Sequence, residues 1–82
     1  AVLPRRRRQA MFAIYAFCRQ VDDIADGDAP LDARRRDLGA WRARIARLYE
    51  GEADDAVTRE LRRAIHAYDL RQADFLAVID GM

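Results

Sequence analysis

An all-α fold is what this sequence predicts, and three observations predict it. Apolar residues recur at three- and four-residue spacing along the chain, and no stretch alternates apolar with polar residues as a half-buried strand would. The clearest breakers, Gly27 with Pro30 and then Gly51, fall between periodic segments. Short connections between those segments imply a bundle of about four helices with antiparallel neighbours. At 82 residues the chain buries only roughly 60 to 65% of its unfolded surface, so the core is thin.

The first helix runs from about Arg5 to Ala25. Leu3-Pro4 opens it, because proline in a first turn forfeits no hydrogen bond and presets its backbone angle. Gly27-Asp28-Ala29-Pro30 ends it, with Asp28 available to cap the next helix. The second helix runs from about Leu31 to Glu50, and Leu38, Trp41, Ile45, Leu48 and Tyr49 form its buried edge. After Gly51, Asp54 or Asp55 caps a third helix that buries Val57, Leu61, Ala64, Ile65 and Tyr68 and ends near Asp69. A fourth begins around Gln72 and turns Phe75, Leu76, Ile79 and Met82 inward. Its pattern is still running at Met82, and no initiator methionine opens the sequence, so a piece of a longer protein is expected.

Charge narrows the function classes. The formal net charge is +1, too balanced for a strong field toward nucleic acid. All 15 basic residues are arginine, with runs at Arg5 to Arg8 and Arg34 to Arg36 that lack interleaved aromatics and read as solvated faces. Peripheral contact with a membrane stays open. No apolar run approaches the roughly 18 to 20 residues that span a bilayer. Cys18 stands alone, which excludes an internal disulfide and points to a reducing, cytoplasmic setting. Lone His66 lacks partners at ligand spacing and is read as structural, and Trp41, Phe17 and Phe75 as core. Phe12 is core by default, although it lies on the polar side of its helix.

The first helix departs from the others. At about 100° per residue, Tyr15, Arg19, Asp22 and Asp26 fall within roughly 60° of one another, with Arg8, Met11 and Phe12 extending the stripe and Asp23 on its flank. Ala10, Ala13, Ile14, Phe17, Val21 and Ile24 make the opposite, apolar face. Carboxylates one turn apart can share a hard divalent cation such as magnesium, which takes its other oxygens from water and phosphate. Arginine and tyrosine beside them suit a diphosphate. From spacing alone, a solvated acidic face is the plainer alternative. Three aspartates at a helix C-terminus oppose its dipole, however, and local conflicts of that kind tend to mark functional sites.

The segment LPRRRRQAMFAIYAFCRQVDDIAD resembles the first aspartate-rich region of the squalene and phytoene synthases, which join isoprenoid diphosphates head to head. Tyr15-Ala16-Phe17-Cys18-Arg19 before Asp22-Asp23-x-x-Asp26 is what selects that family over other users of an Asp-Asp-x-x-Asp motif. The closing FLAVIDGM is similar to the branch that makes presqualene diphosphate in bacterial hopanoid biosynthesis; phytoene and dehydrosqualene synthases are the enzyme alternatives. A noncatalytic arginine-rich interaction module is the alternative of another class.

The resemblance implies an all-α isoprenoid-synthase fold of which residues 1–82 are the N-terminal part, with magnesium as cofactor and farnesyl diphosphate as substrate. One farnesyl diphosphate would ionise, the double bond of the second would capture the allylic cation, and proton loss would close a cyclopropane. It also implies that Asp22 and Asp26, with Asp23 beside them, bind the metal. Tyr15 and Arg19 would be catalytic and, with Arg8, would meet the diphosphate. The family's second aspartate motif and its upstream helix are absent from this chain, so the isolated chain is expected to be inactive.

Overall fold

The computed structural model describes residues 4–81. Four helices follow in order, α1 (Arg5–Ala25), α2 (Leu31–Tyr49), α3 (Ala56–Tyr68) and α4 (Gln72–Asp80), and no strand occurs among the described residues. The expected all-α class and helix limits hold. The roles expected of Leu3 at the helix start and of Met82 on the buried side of the fourth helix fall outside the described residues. Among the described residues, no helix is long and apolar enough to cross a membrane.

Packing runs most extensively between alternate helices, α1 on α3 and α2 on α4, with further contact of α2 against both α1 and α3. The radius of gyration is 13.2 Å, above the roughly 12 Å of a compact chain this long. The helices form an open slab.

Phe17 is the hub of the core. Only 1% exposed, it meets Trp41 of α2 edge-on at 5.2 Å and Phe75 of α4 at 5.3 Å between ring centroids. Such edge-to-face pairs add roughly 0.5 to 1.5 kcal/mol beyond the area they bury. Val21, Ile45 and Leu61 are fully buried around it, and Ala10 and Ala13 are also buried on α1. Tyr49 donates its hydroxyl to the Leu70 carbonyl at 2.7 Å, tying α2 to the α3–α4 junction.

Each junction closes by its own chemistry. After α2, the Gly51 N–H bonds the Leu48 carbonyl at 3.1 Å and the Glu52 N–H bonds Arg47 at 2.9 Å, with Gly51 at φ 95°. That is a Schellman ending, and the positive φ is why glycine stands there. At α3 the choice between Asp54 and Asp55 resolves to Asp55. Its carboxylate accepts the Thr58 N–H at 2.8 Å, and Thr58 Oγ1 accepts the Asp55 N–H at 3.0 Å. This reciprocal capping box also satisfies the buried Thr58 hydroxyl.

Three expectations are corrected, at Asp28, Tyr68 and Arg34, and the reason for Gly27 is supplied. Asp28 does not cap α2, whose N-cap is Pro30 without a side-chain bond. Gly27 ends α1 without a positive φ; a Cβ there would come within 3.0 Å of the Asp23 carbonyl, so close approach explains the glycine. Tyr68 is 40% exposed, because α3 ends there with Asp69 in the left-handed region. Arg34 is half-buried and bonded to backbone carbonyls, unlike its exposed neighbours Arg35 and Arg36.

Truncation of Phe17→Ala should cost about 3 to 5 kcal/mol in chemical denaturation, since both aromatic partners lose their contact. Asp55→Ala should cost about 1 kcal/mol. The Thr58 backbone N–H, ahead of its hydroxyl and Arg44, holds the Asp55 carboxyl below its ordinary value. A lowered folded-state value stabilises above the unfolded carboxylate range, so this contribution is lost as pH falls below about 4. In the Asp55→Ala variant that acid-side loss should shrink.

Candidate functional site

Because Phe17 and Val21 are locked inside, helical geometry turns the stripe on the opposite side of α1 outward. Arg8, Tyr15, Arg19, Asp23 and Asp26 are exposed and Asp22 is half-buried. All six residues anticipated from sequence therefore share one side of one helix. Met11 and Phe12, 57% and 70% exposed, lie among them, so Phe12 is not core.

The three aspartates divide by partner. Arg19 Nε lies 3.3 Å from Asp23 Oδ1, and Asp23 first, then Tyr15, hold the guanidinium above its ordinary value. Arg19 and Asp23 thus form a pair, with Tyr15 one turn before Arg19 on the same side of α1. Asp22 and Asp26 carry no ion pair among the described residues. They stand one turn apart, with the Asp26 N–H donating to the Asp22 carbonyl at 2.8 Å. Arg8 occupies the far end of the stripe and makes no ion pair among the described residues.

Two uncompensated carboxylates at that spacing repel, and the last turn of α1 contains no basic residue. A divalent cation offsets both costs, and two hard oxygen donors fit one that takes its remaining oxygens from water and phosphate. No group of three His, Cys, Asp or Glu side chains converges as a metal site among the described residues. The pair is therefore at most part of a metal site.

Sequence reasoning missed two features. An apolar groove of about 170 Å³ lies between α1 and α4, lined by Ile14, Phe17, Cys18, Leu70, Phe75 and Val78, with Asp74 its one charged residue. Its signal was present in the apolar positions of the two helices, but their separation is a tertiary fact. Arg34 is the other, and nothing in an arginine run distinguishes the member that folds back. His66 stands exposed beside Arg59, Arg62 and Arg63.

Residues 1–82 match the squalene/phytoene synthase family. The chain is 44% identical over 81 residues to a presqualene diphosphate synthase of Rhodopseudomonas palustris, covering 99% of this chain and 29% of that protein. It is 50% identical over 82 residues to a presqualene diphosphate synthase of Zymomonas mobilis, covering 99% and 28%. A 15-cis-phytoene synthase of Synechococcus elongatus is 34% identical over 80 residues, covering 98% and 26%. The chain thus spans less than a third of the length of these relatives. No solved structure matches it significantly.

Cys18 reports on this surface. Burial first, and the Asp22 carboxylate second, push its thiol above the ordinary value. Alkylation by iodoacetamide near pH 8 should run slower than that of an unhindered thiol. Asp22→Asn, which removes the smaller cause, should narrow the gap without closing it; a wild-type rate equal to the free thiol would contradict this.

Proposed function

This chain belongs to the squalene/phytoene synthase family, and from that premise we propose that the protein it is part of joins two farnesyl diphosphates into presqualene diphosphate. The observation that carries this reading is the divided stripe of α1, with Asp22 and Asp26 unpaired beside the Arg19–Asp23 pair and Tyr15 on the same side of the helix. Identity of 44% and 50% to presqualene diphosphate synthases, against 34% to a phytoene synthase, supports that branch. Residues 1–82 form the N-terminal part of one all-α domain in this reading.

Asp22 and Asp26 would hold magnesium, which when bound supplies the charge neutralisation that lets a diphosphate leave. Arg19 donates to the diphosphate oxygens, exchanging the exposed Asp23 carboxylate for phosphate. Tyr15 offers its hydroxyl beside Arg19, and Arg8 adds positive charge at the other end of the stripe. Met11 and Phe12 give the isoprenoid tail an apolar surface where water would otherwise trap an allylic cation.

Incubation of the full-length protein with farnesyl diphosphate and magnesium, without NADPH, should yield presqualene diphosphate. Asp22→Asn and Asp26→Asn should each lower turnover roughly 100-fold or more, as loss of a transition-state charge partner does. Asp23→Asn should cost less, because Asp23 is already engaged by Arg19. Condensation of geranylgeranyl diphosphate instead would move the assignment to the phytoene branch. The isolated chain should turn over neither substrate.

A further inference from the structure

We propose that Arg34 is a positioning residue for the Asp22–Asp26 pair, clamping from α2 the turn in which Asp26 stands. The guanidinium donates through Nη1 to the Ala25 carbonyl at 3.2 Å and through Nε to the Ala29 carbonyl at 3.0 Å. Those two carbonyls bracket Asp26, Gly27 and Asp28. Asp22 lies inside α1 and takes its place from the helix, whereas Asp26 is the C-cap residue, where helices fray. Its N–H still makes the helical bond to the Asp22 carbonyl at 2.8 Å, so what the turn decides is how firmly that last bond holds.

Beyond the backbone bonds of Asp26 and Gly27, no side chain but Arg34 bonds this turn among the described residues. α1 ends without a left-handed glycine and without a basic residue in its last turn. The Ala25 carbonyl belongs to the negative end of the α1 dipole, and a cation from α2 answers it. Arg34 itself is anchored in the first turn of α2, its N–H bonded to the Pro30 carbonyl at 3.0 Å. It makes no ion pair with any aspartate among the described residues. The clamp thus fixes the turn while leaving both carboxylates open.

Charge and geometry pull in opposite directions here, which gives the proposal a sign. A positive charge near a cation site weakens cation binding by Coulomb repulsion. A clamp that holds two carboxylates in register strengthens it. Lysine keeps the charge but is a point donor that cannot fork across two carbonyls.

The inference rests on the proposed metal role of Asp22 and Asp26, and the test separates the two. Manganese(II) binding to the full-length protein, without substrate, is followed by electron paramagnetic resonance for wild type, Asp22→Asn, Arg34→Lys and Arg34→Gln, with thermal unfolding alongside. Wild type should bind in a manner lost in Asp22→Asn, and both Arg34 variants should bind roughly 10-fold more weakly, as loss of an outer-shell partner does. Tighter or unchanged binding in Arg34→Gln, even with a lowered melting temperature, would overturn the clamp and leave the metal role standing. Wild-type binding that Asp22→Asn does not change would overturn both.

Discussion

The rotation of α1 about its own axis is the constraint on which this structure depends, and Phe17 sets it. Its ring stands edge-on to Trp41 and Phe75 at once, so one side chain ties α1 to α2 and α4. With Val21 one turn further also fully buried, α1 has a single orientation that keeps its apolar face dry. Rotating it by one residue would pull Phe17 from its partners and bring carboxylates toward the core, where an unpaired charge is very costly. Outward display of Tyr15, Arg19, Asp22 and Asp26 therefore follows from how the opposite face packs. Within α1 the polar stripe needs no contact of its own to be held in place; Asp26, at the C-cap, is the member that also depends on the turn.

Around that hub, charged contacts set junctions more than they add stability. Arg44 and Arg47 of α2 reach Asp55 and Asp54 at 3.4 and 3.2 Å, and Arg42 pairs with Asp80. Exposed pairs of this kind contribute little each. They do place the ends of α3 and α4 against α2, and Arg44 also lies 4.9 Å above the Trp41 ring. The same helix sends Arg34 to the end of α1. Helix α2 is thus the frame against which the other three are registered, and the acidic end of α1 has neither a left-handed cap residue nor a basic side chain in its own last turn.

Much of this was legible from residues alone. Helix limits followed from Pro4, Gly27 with Pro30, Gly51 and the apolar spacing between them, because each acts on the backbone locally. The two faces of α1 were legible for the same reason. Failures came where the outcome depends on something distant or on exact backbone geometry. Gly27 was legible as the exit of α1, but its reason, close approach to the Asp23 carbonyl, was not. Asp28 stood at capping distance in sequence, but the turn gives that end of α2 to Pro30. Asp55 over Asp54 could have been chosen from Thr58 three residues on, which completes the capping box. Arg34 could not be told from Arg35 or Arg36, since its bond to Ala25 spans nine residues across a turn. On α1 the shared side of these residues was legible and the partition was not: only the fold separates the paired Asp23 from the unpaired Asp22 and Asp26.

That partition gives the stripe its chemical direction, with an occupied arginine–carboxylate pair next to two open carboxylates and exposed apolar side chains beyond. The most direct measurement is anomalous scattering from a crystal of the full-length protein grown with manganese(II) and a nonhydrolysable farnesyl diphosphate analogue. The account predicts a metal peak bound by carboxylate oxygens of Asp22 and Asp26, a diphosphate within reach of Arg19, and Phe17 buried against Trp41 and Phe75. A metal and diphosphate bound elsewhere, with both carboxylates facing solvent, would contradict it.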